Sequence, residues 1–387
     1  MLLPILFEPN YKSSSIWCSQ IQNGIEKTVI QKKYSPTLID EEHYTEFDYD
    51  SFFSSSPRVL MIVASSPSWI YSALNFFARK NIFVLLIDSW ATHHSAKSIV
   101  KGSVCFDYDD CIRMMLDHLE DCGCSKTALY GVFGNSSADR IKYAAFETEM
   151  LERGYEDIRQ LCFDNNSGLV NCYDSFRERI SEFDSVLCVN DVAACSLIIR
   201  LKEDGIKVPE DLQVISFGGS QKLAETMSPS ITTVELDNMV VGQQAILAYK
   251  YLAQNFENAS ISVRVPGLLI ARESTSLIIG QGEEAYNGAR QRSASRPLPS
   301  GSFYDDDEVT VFSRFETLLL SCDKFDRQIL KHLLNHVPYE KISDMLNMSR
   351  STVFYRLQRI LKKLDIESYD ELRTFLQCHR LDEILKK

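Results

Sequence analysis

Apolar runs of five or six residues alternate, over the first 279 positions, with stretches whose apolar residues recur at helical spacing. The runs at 2–7, 59–63, 83–87, 128–133, 185–189 and 213–217 predict strands. The stretches at 15–33, 69–80, 110–121, 138–153 and 192–204 predict amphipathic helices. Strands that are apolar throughout belong in parallel sheets covered on both faces, and helices of this length between them supply the cover. The stretch is long enough for two such α/β lobes. Ligands of open α/β sheets bind beyond the carboxyl ends of the strands, so two facing lobes would enclose a crevice.

From 280 to 308 the periodicity stops. The segment Arg290-Gln-Arg-Ser-Ala-Ser-Arg-Pro-Leu-Pro-Ser-Gly, with Asp305-Asp-Asp-Glu after it, reads as a flexible linker. Residues 309–387 read as all-helical. One helix over 325–335 puts Ile329, Leu330, Leu333 and Leu334 on one face, and 339–346 follows with Ile342, Met345 and Leu346. The turn Asn347-Met348-Ser349 then leads into a longer helix over 350–364, with Ser349 as its N-cap. Two short helices, a tight turn and a longer helix make a helix-turn-helix. At about 100° per residue, Val353, Leu357, Ile360, Leu361 and Leu364 share one sector of the last helix. Arg356, Arg359, Lys362 and Lys363 lie opposite, with Thr352 and Tyr355 beside them, as a helix in the DNA major groove requires. Ser368-Tyr-Asp-Glu371 is a capping box that opens a fourth helix, whose Leu372, Phe375 and Leu376 pack on the unit or form a dimer contact.

At 387 residues the chain calls for two or three domains. Its net charge of −12 excludes a protein that coats nucleic acid along its length. The charge is uneven, though. Residues 322–387 carry 13 Lys and Arg against 10 Asp and Glu, leaving 28 against 43 elsewhere. Any nucleic-acid contact therefore belongs to the C-terminus. Eleven scattered cysteines with no CxxC pair indicate reduced thiols in a cytoplasmic protein. No apolar run is long enough to span a membrane, and the start is too short for a signal sequence. No phosphate loop, nucleophile elbow or paired metal ligands appear, so neither an enzyme nor a cofactor is expected; Cys122 with Cys124, and His93 with His94, lack partners at useful spacing.

Four segments carry a resemblance: Cys188-Val-Asn-Asp-Val-Ala-Ala, Gly205-Ile-Lys-Val-Pro-Glu-Asp-Leu-Gln-Val-Ile-Ser-Phe-Gly-Gly, Pro229-Ser-Ile-Thr-Thr-Val and Val265-Pro-Gly-Leu-Leu-Ile-Ala-Arg-Glu-Ser-Thr. In order and spacing they resemble the effector-binding core of the LacI/GalR repressor family. The resemblance covers about 1–279 and is strongest from Asn190 onward. It implies two Rossmann-like lobes of the periplasmic binding protein-like type, joined by three crossovers, with a sugar or similar molecule between them. The first lobe would be about 1–123 with 237–258, the second about 124–235 with 261–279. Asn190 and Asp191 close a strand at its carboxyl end, where Asp191 either meets ligand or caps the next helix. Asp110 matches a cleft position of the family and equally suits a helix start. Asn10, Tyr11, Ser65 and Trp90, at other strand ends, complete the candidates; the two aromatics either stack on ligand or serve as wall. Two positions depart from the family. Lys142 stands where it has an arginine, losing the bidentate fork, and Gly218 where it favours an aspartate. The family's N-terminal DNA-reading unit has no counterpart before the first strand.

In the tail, Asp326-Arg-Gln-Ile-Leu, Ile342-Ser-Asp-Met-Leu-Asn-Met-Ser-Arg-Ser-Thr-Val and Ile360-Leu-Lys-Lys-Leu-Asp-Ile-Glu-Ser resemble a LuxR-type helix-turn-helix. This implies Arg350, Ser351, Thr352, Tyr355, Arg356 and Arg359 on bases or phosphates, with Lys362 and Lys363 on phosphate. The expected protein is a ligand-responsive, homodimeric regulator that binds double-stranded DNA; the alternative is a solute-binding sensor without operator control.

Overall fold

The computed structural model describes residues 2–89, 99–218, 221–276, 303–378 and 381. The first half runs β1 (Leu2–Phe7), α1 (Pro9–Ser14), α2 (Ile16–Lys32), β2 (Ser35–Leu38), α3 (Tyr49–Phe52), β3 (Val59–Val63), α4 (Pro67–Arg79), β4 (Phe83–Ile87), β5 (Val100–Phe106) and α5 (Tyr108–Asp121). The second runs β6 (Thr127–Val132), α6 (Ser137–Glu152), β7 (Cys162–Asp164), α7 (Leu169–Arg177), β8 (Ser185–Cys188), α8 (Asp191–Glu203), β9 (Gln213–Gly218), α9 (Gln221–Thr226) and β10 (Thr232–Glu235). Then come α10 (Asn238–Asn255), β11 (Ile261–Val265) and β12 (Leu268–Ile270).

These strands build two six-stranded sheets, β11-β5-β4-β3-β1-β2 and β12-β10-β9-β8-β6-β7. The first is parallel throughout. The second is parallel except for the β10–β12 edge pair. The central strands β3 and β9 are buried along their whole length, as helices on both faces require. The fold is thus an α/β pair of lobes, as the alternating pattern predicts. Where they pack beside the first sheet, α2 and α10 approach backbone to backbone. A Cβ on Gly24 or Gly242 would stand 2.1 Å from a carbonyl of the other helix, so only glycine fits either place.

One lobe boundary needs correction. The sequence puts 261–279 in the second lobe, but β11 pairs in parallel with β5 of the first sheet. The third crossover therefore falls at Pro266-Gly267, where proline has no N–H to continue a ladder.

Beyond the lobes lie α11 (Asp307–Ser321), α12 (Lys324–Leu334), α13 (Tyr339–Met345), α14 (Arg350–Leu364) and α15 (Tyr369–Cys378). The end of the expected linker is not loose. Phe303–Asp305 forms a helical turn, and α11 starts at Asp307, capped by Asp306. Acidic residues that read as linker composition are here a cap and first turn, where the helix dipole favours negative charge. Asp306 also accepts a hydrogen bond from the Leu169 N–H (2.9 Å) at the start of α7. Glu308 accepts one from the Ser196 hydroxyl (2.6 Å) and pairs with Arg200 (2.5 Å), both on α8. Helix α11 thereby docks on the second lobe and reaches α14 on its other side. Residues 277–302, which hold the rest of the expected linker, lie outside the described residues.

Candidate functional site

The carboxyl ends of both sheets face one another across a cleft. In the first lobe, Tyr11 on α1 donates its hydroxyl to Asp88 (2.5 Å), the residue after β4. Burial pushes the Asp88 carboxyl up to about 6, against the lowering effects of Tyr11 and the Lys142 charge. Nearby, Glu8 accepts from the backbone N–H groups of Ser65 (2.8 Å) and Ser66 (2.9 Å), and fixes the loop that follows β3. Burial raises its carboxyl as well, with those two hydrogen bonds opposing.

The second lobe offers Ser136, Asp139 and Lys142 around the start of α6, together with Val189, Asn190 and Phe217. Ser136 caps α6 through the Asp139 N–H (3.2 Å). Lys142 is buried, donates to the Val189 carbonyl (2.7 Å) and pairs with Asp139 (3.4 Å). Its ammonium also lies 5.3 Å from the Tyr108 ring centre and 4.9 Å from that of Phe217, an arrangement that stabilises a desolvated cation.

The lobes touch. Ser137 N–H donates to the Ser65 carbonyl across the cleft (2.7 Å). Phe303 enters the same space, with its ring centre 6.2 Å from that of Trp17 on α2 and 5.8 Å from that of Phe133 after β6. One aromatic ring from the C-terminal segment thus bridges both walls. Tyr108, Phe217 and Leu236 complete the lining between these walls.

The sequence candidates divide. Tyr11, Ser65, Lys142 and Asn190 line the cleft. Asp191 instead accepts from Ser216 (2.8 Å) inside the second lobe, because Asn190 takes the cap position, bonding the Ala193 N–H (2.9 Å). Asp110 lies on the outer face of α5 beside Arg113 (3.3 Å); Tyr108, two residues earlier, faces the cleft. Asn10 is exposed and off the lining. Gly218 ends β9 against Thr233, whose Cβ would be 2.9 Å from a Cβ added there. A side chain at this position would require Thr233 to shift. Trp90, His93 and His94 lie outside the described residues. Sequence reasoning missed Asp88, Trp17, Asn238 and Phe303. Asp88 had a usable signal, the carboxyl end of β4, whereas Phe303 comes from a segment that reads as linker.

In the tail, the predicted stripe of Val353, Leu357, Ile360, Leu361 and Leu364 is buried. The two arginines are not free. Arg356 pairs with Asp323 and Asp326 (both 2.8 Å), and Arg359 also pairs with Asp326. Asp326 has no exposed side-chain surface and completes the α12 capping box by accepting from the Asp323 N–H (3.0 Å). Pairing holds the Asp323 carboxyl well down, to about 2, chiefly through Arg356. Arg350, Lys362 and Lys363 have no ion-pair partner among the described residues.

Among the described residues no helix is long and apolar enough to cross a membrane, and no side-chain cluster could hold a metal ion. Residues 116–275 match the model of a periplasmic binding protein-like domain. Similar proteins include the NTD biosynthesis operon regulator of Bacillus subtilis, 34% identical over 116 residues, 28% of this chain and 34% of that one. Catabolite control protein A of Staphylococcus aureus is 23% identical over 57% of this chain and 66% of its own. Among solved structures, a LacI family regulator from Weissella paramesenteroides with bound glucose aligns at a TM-score of 0.52 and 20% identity, over 72% of this chain and all of that one. The chain spans about a third to two thirds of the curated relatives' lengths. Residues 116–275 thus resemble a periplasmic binding protein-like domain, and the curated proteins similar to this chain include an operon regulator and a catabolite control protein.

Proposed function

We propose that this chain is a ligand-responsive transcription regulator, acting as a homodimer. A small molecule, a sugar or a compound of similar size and polarity, is held between the lobes and alters DNA binding by the C-terminal helix-turn-helix. The observation that carries this reading is the arm from Phe303 to Glu308. Its first residue bridges the cleft walls, and its last is tied to α8, whose N-terminus presents Asn190 to the same cleft. In this reading an effector enters the cleft by parting the lobes or moving Phe303. Either motion pulls on the start of α11, which packs on α14. Effector and DNA then report on one equilibrium between two states, and each changes the other's affinity by the same factor. The regulators among its relatives and the glucose in the Weissella structure support the two halves of the reading.

The test is anisotropy of labelled duplexes from upstream of its own coding region, titrated with the full chain, with and without glucose, sucrose and cellobiose. Expected are a preference over scrambled duplex of at least about a thousandfold, a steep loss of affinity with salt, and a shift with at least one sugar. Equal binding of cognate and scrambled duplex removes the DNA half. Specific binding that no small molecule from a cell extract alters removes the effector half.

A further inference from the structure

The outward face of α14 has a division of labour that its sequence conceals. Resting on the reading of this unit as a DNA binder, we infer that it selects A·T pairs, with the Tyr355 ring on the thymine methyl and the Gln358 amide on adenine. The two central arginines are both paired within the unit. Withdrawing both would leave Asp326, which has no exposed side-chain surface, as an unpaired buried charge, a strongly unfavourable outcome. They hold α12 to α14 and do not read guanine, the base that arginine most often recognises. Near the N-terminus the Ser349 hydroxyl bonds both Ser351 (2.8 Å) and Thr352 (2.7 Å).

What remains outward is different in kind. At 100° per residue, Tyr355 sits opposite the buried stripe, and its side chain is 69% exposed. It has no hydrogen-bond partner among the described residues. Gln358, three positions on, shares that face. One of its amide hydrogens goes to the Tyr369 hydroxyl (3.2 Å), an exposed bond that exchanges for another at little cost. Unpaired cations flank this pair: Arg350 before it, Lys362 and Lys363 after it. Arg350 and Lys362 are about 18 Å apart along the axis, from 1.5 Å per residue, which suits phosphates on either side of a major groove about 12 Å wide. Positive ends around a centre whose cations are paired within the unit fit a nucleic-acid duplex. In the groove an apolar ring is suited to the C5-methyl of thymine, and a glutamine amide pairs bidentately with adenine.

The experiment selects duplexes from a pool with a random 20-base-pair core, using the full chain. The winning duplex is then remade with deoxyuridine for thymine, which removes only the methyl groups, and both are titrated. Expected are an A·T-rich core and about tenfold weaker binding of the deoxyuridine duplex. Tyr355→Ala should bind both duplexes at the weaker level, Tyr355→Phe should keep the difference, and Gln358→Ala should lose the preference for adenine over guanine. Equal binding of the thymine and deoxyuridine duplexes, or a G·C-rich winner, overturns the inference and leaves DNA binding standing. A pool with no enriched sequence overturns both.

Discussion

Asp326→Asn removes a charge from a place no water reaches. One carboxylate oxygen accepts from Arg356 (2.8 Å), the other from Arg359 and from the Asp323 N–H (3.0 Å). The asparagine keeps the volume but turns an NH₂ group towards one set of donors. Breaking a buried pair costs about 3–5 kcal/mol when the surviving charge stays buried. Here the survivors are half-exposed arginines, and Arg356 retains Asp323, so the expected loss is about 2–4 kcal/mol. Because the chain has several units, a global unfolding curve would blur the effect. Hydrogen exchange of peptides over 324–334 and 350–364 isolates it, and a loss of about 3 kcal/mol appears as more than a hundredfold faster exchange. Arg356→Met with Arg359→Met should be worse than Asp326→Asn alone, because it strands the carboxylate. Adding Asp326→Asn to that double variant should restore part of the protection. If Asp326→Asn exchanges within threefold of the natural chain, the clamp does not hold the unit and the reasoning fails.

Asp88→Asn addresses the raised carboxyl of the cleft. An acid whose folded-state value is near 6 loses stability as pH rises from its ordinary value through 6, up to about 3 kcal/mol by pH 7. The variant should therefore show slower hydrogen exchange than the natural chain in peptides over β4 at pH 7 and the same exchange at pH 4; equal exchange at both would contradict it. Phe303→Ala removes two aromatic contacts, each worth about 0.5–1.5 kcal/mol. Exchange should quicken both around Trp17 and over 133–137, and quickening on one wall only would show that the ring does not bridge the lobes. Gly218→Ala should lower stability by about 1–3 kcal/mol through its collision with Thr233, measured as faster hydrogen exchange over β9 and β10, and unchanged exchange would show that β10 yields freely.

The alternation of buried strands and amphipathic helices was legible along the chain because both periodicities are local: β3, β4, α8 and α14 lie where the pattern puts them. So was the cap made by Ser349, which depends only on side chains within three residues, whereas the cap of α8 falls to Asn190 and not to Asp191. Short edge strands were not legible. β2, β7 and β11 acquire their state from the neighbour they pair with, and β11 thereby shifts the lobe boundary. The cleft shows the same division. Strand ends near Tyr11, Ser65 and Asn190 can be read from sequence, but which side chain turns inward depends on what else fills the space. Asp191 finds Ser216, Lys142 finds two rings and a carbonyl, and Gly218 meets Thr233. Charge on α14 misled for the same reason. Composition marks Arg356 and Arg359 as available cations, and only the tertiary approach of Asp326, 30 and 33 positions earlier, engages them. Sequence by itself determines the elements and their apolar faces, because those follow from neighbours a few residues apart. Tertiary structure decides which polar groups are spent inside the molecule and which remain for a partner, because burial brings together charges and rings that the chain keeps far apart.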